Sequence, residues 1–442
     1  MKVSGRGLRA VRRGGLTGEA LAPGDKSISH RALIFGALAD GETTVRGLLE
    51  GHDVLRTAAA MRALGAGVER DLTDAGPVWR ILGAEWRDPV RPLYFGNSGT
   101  GCRLVLGAAA GQGLAARFDG DQSLRGRPMK RISEPLSLMG ARISSEDGRL
   151  PLVLSPAPLR GIDYRLPVAS AQIKSAVLLA ALGARGETTI IEPAPSRDHT
   201  ERMLKAFGAD LRIDMAADGR RLRLAGGQRL KASPVDIPGD PSSAAFLIAA
   251  ATIAPDSDVL VRNVLINPLR AGFFETIADM GANISYENQR ELCGEPVADI
   301  RARSSSLRGV VVPASRAASM IDEYPILSVV AAFAEGETRM EGVEELRVKE
   351  SDRLAAIEAG LAANGVATAS GPDWLVVKGR GGAVSGGGTV ATHLDHRIAM
   401  SFLVMGLAAQ KTVSIDDASM IATSFPEFVA LMRGLGADLR QE

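Results

Sequence analysis

Six strongly apolar stretches recur along the chain, and each is followed by an amphipathic stretch that closes on a glycine step. The first apolar stretch, residues 27–39, is apolar nearly all round after its opening turn, which predicts a helix buried in a core. The amphipathic stretch at residues 54–64 keeps its apolar residues on one face, with Asp53 as its predicted cap. Gly65 is predicted to end that helix in the left-handed conformation.

The spacing of these units is nearly constant, since successive closing glycines lie 68 to 84 residues apart. Self-similarity at a fixed period is a property of the architecture. The closing glycines are Gly65, Gly140, Gly208, Gly281, Gly365 and Gly436. The other buried helices are predicted at residues 99–110, 171–184, 242–254, 323–334 and 396–409. Capping boxes are expected at Asp198 with Glu201 and at Ser424 with Glu427.

The units are too long for a solenoid, whose repeats run to about 20–45 residues. An α/β fold with two halves of three units each is predicted instead. Three prolines within residues 234–241 break helix and sheet alike and indicate the boundary. The first domain is placed at residues 18–236, and the second at residues 237–442 together with residues 1–17.

Composition excludes several classes of function. The net charge is +1 with 23% charged residues, which gives no support to a nucleic-acid partner. Cys102 and Cys293 lie far apart in no metal-like spacing, which argues against a disulfide framework or a zinc site and fits a reducing cytoplasm. The most apolar segments are too short to span a bilayer. A soluble, cytoplasmic protein is expected.

The unusual polar residues stand where the apolar stretches begin. At residues 23–31 a glycine precedes Lys26 and Ser27 at a helix start, which presents backbone N–H groups, an ammonium and a hydroxyl to an anion. Arg31 follows Ser27 by four residues and is predicted on the same side of that helix. Taken alone, this stretch fits an ordinary capped helix equally well.

The recurrence of this design at equivalent positions favours a ligand site. Six buried helices pointing their N-termini at solvent are costly unless those ends meet a ligand or another half, and together they predict a strongly electropositive cleft. The cations expected to strengthen it are Lys26, Arg127, Arg197, Arg353 and Arg397. Asp322 and Glu350 remain to handle protons. The inferred substrate is multiply anionic, with phosphate and carboxylate groups.

These segments together resemble the enolpyruvyl transferases over essentially the whole chain. The motifs that carry the resemblance are residues 24–31, 97–100, 127–128, 347–354 and 395–397. The resemblance implies two inside-out α/β domains, each with buried helices surrounded by mixed sheets, joined by a two-stranded hinge. It also implies closure on phosphoenolpyruvate and shikimate 3-phosphate without a metal or cofactor, in a protein that is expected to be a monomer.

The resemblance assigns roles to individual residues. The positions matching those that hold shikimate 3-phosphate are Lys26, Ser27, Arg31, Ser170, Ala171, Gln172, Arg197, Asp322 and Lys349. The positions matching those that hold phosphoenolpyruvate are Lys26, Asn97, Gly99, Thr100, Arg127, Gln172, Glu350, Arg353 and Arg397. Glu350 is the candidate for proton transfer to the donor's methylene carbon. Asp322, helped by Lys26, is the candidate base for the acceptor's 5-hydroxyl group.

Two positions deserve separate interpretation. Thr423 stands where some family members have a lysine near phosphoenolpyruvate, which puts that contact in doubt and suggests a divergent branch. Gly99 has no Cβ and leaves room for phosphonates longer than phosphoenolpyruvate, so glyphosate sensitivity is expected.

Rival interpretations remain. The sister branch that uses UDP-N-acetylglucosamine usually carries a reactive cysteine before an Arg-Pro step, but residues 121–128 contain none, and Cys102 is predicted to be structural within a buried helix. Loss of either carboxylate would support a non-catalytic anion-binding or scaffold protein, but Asp322 and Glu350 are both present. An RNA-terminal phosphate-processing enzyme should have a nucleophilic histidine and a basic face, and the five histidines and the near-neutral charge do not favour that interpretation.

Overall fold

The computed structural model describes residues 7–74 and 76–442, and these form two compact units. We call the first domain the unit built from Gly24–Ile237 and Leu292–Gly294, and the second domain the unit built from Pro238–Glu291, Glu295–Glu442 and the residues up to Pro23. The first unit thus begins at Gly24, whereas residue 18 was expected. The cause is strand pairing, because Thr17–Leu21 lies parallel to a strand of the second unit.

Helices and strands alternate throughout the described residues. The α-helices are α1 (Lys26–Leu38), α2 (His52–Leu64), α3 (Gly99–Gly111), α4 (Gln122–Gly126), α5 (Lys130–Leu138), α6 (Ala171–Ala181), α7 (His199–Ala206), α8 (Pro241–Ile253), α9 (Gly272–Asp279), α10 (Ala317–Met320), α11 (Tyr324–Phe333), α12 (Arg353–Ala363), α13 (His396–Ala408) and α14 (Phe428–Gly434). Short 3₁₀ helices cover Ala314–Arg316, Glu344–Val348 and Ser419–Thr423.

The strands are β1 (Leu8–Val11), β2 (Thr17–Leu21), β3 (Ala39–Asp40), β4 (Glu42–Arg46), β5 (Gly67–Thr73), β6 (Gly76–Leu82), β7 (Leu93–Tyr94), β8 (Ala116–Asp119), β9 (Arg142–Ser145), β10 (Leu152–Ser155), β11 (Asp163–Arg165), β12 (Glu187–Glu192), β13 (Leu211–Ala216), β14 (Gly219–Ala225), β15 (Leu230–Lys231), β16 (Val235–Asp236), β17 (Asp258–Leu265), β18 (Asn283–Leu292), β19 (Glu295–Arg303), β20 (Val311–Val312), β21 (Glu337–Glu341), β22 (Thr368–Ser370), β23 (Trp374–Lys378), β24 (Thr389–Val390), β25 (Val413–Ile415) and β26 (Asp438–Gln441).

The described strands form six four-stranded sheets of one topology, three in each domain. The first domain has the orders β16-β4-β6-β5, β7-β8-β10-β9 and β11-β12-β14-β13, and the second has β18-β19-β17-β2, β20-β21-β23-β22 and β24-β25-β1-β26. In every sheet one edge strand lies parallel to its neighbour, and that neighbour lies antiparallel to the next strand. A further two-stranded pair joins β15 to β3. The prediction of six repeated units, three per domain, is confirmed.

Each domain buries three helices, as the apolar stretches predict. α8 is the clearest case, since its residues from Pro241 to Thr252 are all buried. Strands such as β10 alternate buried and exposed residues, as expected of a sheet with one face on a core and one in water. The predicted bounds of the six buried helices differ from those of α1, α3, α6, α8, α11 and α13 by at most three residues. The inside-out arrangement of buried helices and surrounding mixed sheets is therefore confirmed.

The six closing glycines all adopt the left-handed conformation that the repeat predicts. Their φ angles lie between 78° and 111°. At Gly65 the backbone N–H donates back to the carbonyl of Arg62 at the end of α2. A residue with a Cβ would be strained in this conformation, which explains why glycine recurs there.

Three helices do not begin with the caps that the sequence predicts. Asp53 does not cap its helix, because α2 begins at His52 after Gly51, and the Asp53 carboxylate instead pairs with Lys26. Asp198 precedes α7, but its side chain accepts no cap hydrogen bond and pairs with Arg202 at 2.9 Å. The last helix, α14, begins at Phe428, so the expected box of Ser424 with Glu427 is wrong there too.

Close packing of α3 on α6 fixes the geometry of the first domain's helix ends. A Cβ on Gly107 of α3 would lie 2.3 Å from the carbonyl oxygen of Ala176 on α6. Glycine at this position therefore permits the two backbones to approach, which brings the first turns of both helices together. Among the described residues, no helix combines the length and the apolar character needed to cross a membrane.

Candidate active site

The first turn of α1 places an ammonium beside a carboxylate. Asp25 caps this helix by accepting a hydrogen bond from the backbone N–H of Ile28 at 2.8 Å. The ammonium of Lys26 at the first helical position pairs with the carboxylate of Asp53, and only 20% of the Lys26 side chain is exposed. Lys26 is therefore oriented before any substrate arrives.

Arg31 connects α1 to the neighbouring helices. Its guanidinium donates to Thr200 Oγ1 at 2.7 Å, to Ser175 Oγ at 2.8 Å and to the carbonyl oxygen of Ser27 at 2.9 Å. The last contact confirms that Ser27 and Arg31 share one side of α1. Because Arg31 is buried and bonded at three points, its charge is fixed in position.

The start of α3 carries the second group of predicted residues. Asn97 donates from Nδ2 to Asp121 at 3.1 and 3.3 Å, and its Oδ1 accepts from the guanidinium of Arg127. Arg127 also donates to Ser123 Oγ at 3.2 Å. A Cβ on Gly99 would lie 3.1 Å from Arg127 Nη1. Asn97, Gly99 and Arg127 therefore lie together, as predicted.

Gln172 joins the first turns of α3 and α6. Its Nε2 donates to Thr100 Oγ1 at 3.0 Å, and its Oε1 accepts from Arg103 Nη1 at 2.7 Å. Ser170 precedes α6, and its hydroxyl faces the backbone N–H of Ile173 at 3.5 Å. Thr100 and Gln172, both assigned to phosphoenolpyruvate, are thus in direct contact.

Arg197 follows strand β12 and precedes α7, and it is half-buried. Its neighbour Ser196 is buried and bonded to Glu192 through its backbone N–H at 3.0 Å. The structure thus holds the backbone next to Arg197 in a defined position in the first domain.

In the second domain, the guanidinium of Arg353 forms ion pairs with three carboxylates. It donates from Nε to Asp395 Oδ2 at 2.8 Å, lies 2.6 Å from Glu350 Oε2 and lies 3.3 Å from Asp322 Oδ1. Arg353 itself is fully buried. The two predicted proton-transfer residues, Asp322 and Glu350, therefore share one guanidinium.

Arg397 and Lys349 complete this second-domain group. Arg397 donates from Nη1 to the carbonyl oxygen of Asp322 at 3.1 Å and lies 3.6 Å from Glu323 Oε1. Lys349 Nζ lies 3.5 Å from Asp322 Oδ1. The structure therefore brings together all five residues predicted in this domain, which are Asp322, Lys349, Glu350, Arg353 and Arg397.

Electrostatics within the second-domain group are set by burial and charge pairing. Burial raises the pKa of Asp395, but the positive charge of Arg353, the neighbouring His396 and the hydrogen bond from Arg353 together outweigh burial and hold that pKa below its usual value. For Arg353, burial opposes the charged form, but Asp395, Glu350 and Asp322 raise its pKa further above the ordinary value. Both groups of the buried pair are therefore ionised.

The distribution of charge differs from the expected one. The cations of the second-domain group are Lys349, Arg353 and Arg397, and the facing acids are Asp322, Glu323, Glu350 and Asp395. The expected excess of positive charge is thus absent from this group.

Side-chain caps already satisfy several of the six helix ends that were expected to need a ligand. Asp25, Ser170, Asp240 and Asp395 accept hydrogen bonds at the starts of α1, α6, α8 and α13. The starts of α3 and α11 have no such cap. Among the described helix ends, the N-terminus of α3 is therefore well suited to an anion, because Gly99 and Arg127 lie beside it.

Sequence reasoning missed three residues that orient the predicted ones. Asp53 pairs with Lys26, Arg103 donates to Gln172, and Asp395 pairs with Arg353. A charged residue within an otherwise apolar helix, as at Arg103 in α3, is an available signal. Asp395 stood within a recognised motif, but its partner lies 42 residues away in sequence.

Thr423 and Cys102 both have defined surroundings. Thr423 is buried in a 3₁₀ helix, where its hydroxyl donates to the carbonyl oxygen of Met420 at 2.6 Å. Cys102 lies within α3, and burial raises the pKa of its thiol to about 12. A thiol of this kind is inert at neutral pH, which supports a structural role.

Comparisons with known proteins agree with this arrangement. The family model described as EPSP synthase (3-phosphoshikimate 1-carboxyvinyltransferase) matches residues 12–432. A 3-phosphoshikimate 1-carboxyvinyltransferase of Parvibaculum lavamentivorans is 58% identical over 440 residues, covering 98% of this chain and 97% of its own. One of Methylorubrum populi is 60% identical over 433 residues, covering 96% and 95%.

Solved structures agree as well. The 2.37 Å structure of EPSP synthase from Acinetobacter baumannii matches with a TM-score of 0.86 and 41% sequence identity, covering 99% of this chain and 100% of that chain. The repeated inside-out domains and their polar helix ends define an enolpyruvyl transferase. The chain belongs to the EPSP synthase (3-phosphoshikimate 1-carboxyvinyltransferase) family. Its function is enolpyruvyl transfer in the shikimate pathway, and the sister activity on UDP-N-acetylglucosamine is not favoured.

Proposed function

We propose that the residues described above carry enolpyruvyl transfer from phosphoenolpyruvate to the 5-hydroxyl group of shikimate 3-phosphate, through a tetrahedral intermediate. The observation that carries this proposal is the placement of Asp322 and Glu350 on the buried guanidinium of Arg353, at 3.3 and 2.6 Å. Two carboxylates fixed by one cation supply the two proton-transfer groups that the reaction requires. Both would be positioned before substrate binds.

The acceptor is proposed to bind mainly through the first domain. Its phosphate is a dianion, and hydroxyls, helix N-termini and guanidinium groups are suitable partners for it. The residues proposed to hold shikimate 3-phosphate are Lys26, Ser27, Arg31, Ser170, Ala171, Gln172 and Arg197 in the first domain, with Asp322 and Lys349 from the second.

Three arginines belong to the set proposed to hold phosphoenolpyruvate, where a guanidinium can bind phosphate or carboxylate through two parallel hydrogen bonds. The residues proposed to hold phosphoenolpyruvate are Lys26, Asn97, Gly99, Thr100, Arg127, Gln172, Glu350, Arg353 and Arg397. Arg127 is supported by Asn97, and Arg397 by the carbonyl of Asp322. Preorganised donors of this kind stabilise developing charge without further rearrangement.

The addition step needs one acid and one base. Glu350 is proposed to react in its protonated form and to give that proton to the methylene carbon of phosphoenolpyruvate, which leaves the adjacent carbon cationic. Asp322 takes the proton of the acceptor's 5-hydroxyl group, and the oxygen bonds to that cationic carbon. Lys26 stabilises the developing negative charge on this oxygen. The product of this step is a tetrahedral ketal phosphate.

The elimination step reverses the proton movement at the methyl group. One methyl proton returns to a carboxylate as the C–O bond to phosphate breaks, and the carbon–carbon double bond re-forms. Inorganic phosphate leaves with the bonding electron pair and takes up the proton that Asp322 holds, so both carboxyl groups return to their starting protonation. We propose that this chemistry runs on the chain's own side chains, with no metal required. Each positioned acid or base typically contributes a factor of about 10²–10⁴ to the rate.

The direct test is phosphate release by the purified protein, given shikimate 3-phosphate and phosphoenolpyruvate in EDTA. Release that requires both substrates, with formation of the enolpyruvyl product, is the expected result. Turnover of phosphoenolpyruvate with UDP-N-acetylglucosamine, and not with shikimate 3-phosphate, as the acceptor would instead assign the chain to the sister activity. Absence of release with either acceptor would contradict the proposed roles of the carboxylates.

The chain is further proposed to act in the cytoplasm as a monomer. Two cysteines without disulfide pairing fit a reducing compartment, and burial raises the pKa of both thiols above its usual value. Light scattering after size exclusion should give a mass near 46.3 kDa, and twice that mass would contradict the monomer.

A further inference from the structure

A group of four charges, three of them buried and one partly buried, lies behind the first turn of α6. Lys174 is completely withdrawn from solvent, and its ammonium lies 2.8 Å from both Glu192 and Glu201. Arg220 approaches the same two carboxylates at 3.3 Å. None of these four residues belongs to the proposed binding sets, and together they balance two positive charges with two negative ones.

Hydrogen bonds from this group hold the segment that carries Arg197 in place. Ser196 donates its backbone N–H to Glu192 Oε1 at 3.0 Å, and its hydroxyl donates to the same oxygen at 2.5 Å. The carbonyl oxygen of Ser196 accepts from Lys174 Nζ at 3.2 Å. The backbone N–H, carbonyl and side chain of the residue before Arg197 are therefore all bonded to one cluster.

The same lysine belongs to the helix whose first turn holds the other acceptor residues. Lys174 lies on α6, and its backbone N–H donates to the carbonyl oxygen of Ser170 at 3.2 Å. One side chain thus relates the position of Ser196 and Arg197 to that of Ala171 and Gln172. Buried ion pairs are weak evidence for stability, because an apolar replacement can serve folding as well. A positioning role explains why charges stand here.

We propose that Lys174 is a positioning residue, which holds the Arg197 segment against the first turn of α6 so that both meet the phosphate of the acceptor together. This proposal rests on the proposed function, because it requires Arg197 to bind shikimate 3-phosphate. A site whose parts are prearranged does not spend binding energy on ordering them. Loss of Lys174 should therefore weaken acceptor binding rather than donor binding.

The test compares Lys174→Met with Lys174→Arg, using calorimetric titration of shikimate 3-phosphate and steady-state kinetics. Lys174→Met should raise the Kd for shikimate 3-phosphate about tenfold, and change the KM for phosphoenolpyruvate less than about twofold. Lys174→Arg should recover part of the affinity, because it restores the charge. Lys205→Met, an exposed lysine on α7, is the matched control and should bind as the wild type does.

A double-mutant cycle with Arg197→Ala separates positioning from general damage to the fold. If Lys174 acts through Arg197, Lys174→Met should cost much less affinity in the Arg197→Ala background than in the wild type. Equal losses in both backgrounds would overturn the proposal, even if both variants bind weakly. An Arg197→Ala variant with unchanged Kd would overturn the role of Arg197 itself, and this proposal with it.

Ser196→Ala provides a variant that keeps the four charges intact. It removes only the hydroxyl hydrogen bond to Glu192, so it remains informative if Lys174→Met fails to fold. The expected result is a smaller rise in the Kd for shikimate 3-phosphate, about threefold, that disappears in the Arg197→Ala background. A folded Ser196→Ala protein with wild-type affinity would contradict the proposal.

Discussion

Arg353 donates its Nε–H to Asp395 Oδ2 at 2.8 Å, and neither side chain is exposed to solvent. Asp395 also caps α13, accepting from the backbone N–H of Arg397 at 2.9 Å. One buried carboxylate therefore orients two of the cations proposed to hold phosphoenolpyruvate. The pair connects the stability of the second domain to the geometry of its functional groups.

We expect Asp395→Asn to damage both properties. The neutral amide leaves the buried guanidinium of Arg353 with less compensation, and removal of one partner from such a pair typically costs about 3–5 kcal/mol. Calorimetric unfolding should show a lower transition temperature, and steady-state kinetics a higher KM for phosphoenolpyruvate. Glu337→Gln serves as the control, since its pair with Lys378 is exposed and contributes little. A wild-type KM for phosphoenolpyruvate in Asp395→Asn would contradict the orienting role.

The two carboxylates proposed to move protons can be separated by isotope exchange. Glu350→Gln should lower turnover by about 10²–10⁴ and suppress exchange of solvent deuterium into the methylene group of phosphoenolpyruvate. Asp322→Asn should lower turnover by a similar factor, because the acceptor's hydroxyl loses its base. The rate of deuterium incorporation into phosphoenolpyruvate is measured by mass spectrometry for both variants.

Control experiments for these carboxylates concern binding and folding. Both variants should keep the circular dichroism spectrum of the wild type. The exposed Asp352→Asn variant is the reference for a nearby loss of charge. Near-normal turnover in either folded variant would remove the corresponding residue from the mechanism. Loss of substrate binding without loss of chemistry at saturation would assign it to binding instead.

Sequence reasoning predicted the repeated architecture because that signal is local and repeated. A stretch such as α8 is apolar on every side and must be buried wherever it packs. The left-handed glycines were equally predictable, since Gly65 and its five counterparts follow amphipathic stretches at a fixed period. Both features depend on the residues of one unit alone.

The partner of Asp53 and the charge balance of the second-domain group could not be predicted from the sequence, because both depend on pairing between residues far apart in the chain. Asp53 has the position and chemistry of a helix cap, but folding brings it to Lys26, 27 residues away, where ion pairing replaces capping. The acids Glu323 and Asp395 likewise offset the cations of the second domain, which a count of basic residues at helix starts does not reveal. Contacts between residues that are far apart in the chain leave no periodic pattern in the sequence.

Gly99→Ala should weaken glyphosate inhibition more than it weakens the use of phosphoenolpyruvate. The added Cβ would lie 3.1 Å from Arg127 Nη1 and 3.2 Å from Arg103 Nη1, which is tight and forces a small shift of these guanidinium groups. We expect the KM for phosphoenolpyruvate to rise less than the inhibition constant of glyphosate, because the longer phosphonate needs the space that the methyl group takes. Both constants are measured in one steady-state experiment.

The control for this substitution is Gly434→Ala at the end of α14, where a Cβ meets no atom within 4 Å. That variant should match the wild type in both constants. Glyphosate inhibition that is weak in the natural protein and becomes stronger in Gly99→Ala would contradict the prediction.

The stability of the first domain should depend on pH through His30. Its ring is fully buried in α1, with Nδ1 2.8 Å from Thr57 Oγ1. Burial lowers the pKa of His30 well below its usual value, and the charges of Lys26 and Arg31 lower it further. The folded state therefore keeps the ring neutral, while the unfolded chain takes up a proton below about pH 6.5. This contribution to stability is complete above pH 6.5 and decreases as the pH falls toward the folded pKa.

Urea unfolding at pH 6 and pH 5 tests this dependence in a Trp374→Phe background, where the remaining tryptophans, Trp79 and Trp86, both lie in the first domain. The protein with His30 should lose up to about 1.4 kcal/mol more stability per pH unit than the His30→Asn variant. His52→Asn, at an exposed histidine of the same domain, controls for the substitution itself. Equal pH dependence with and without His30 would show that the folded state also accommodates the imidazolium ion.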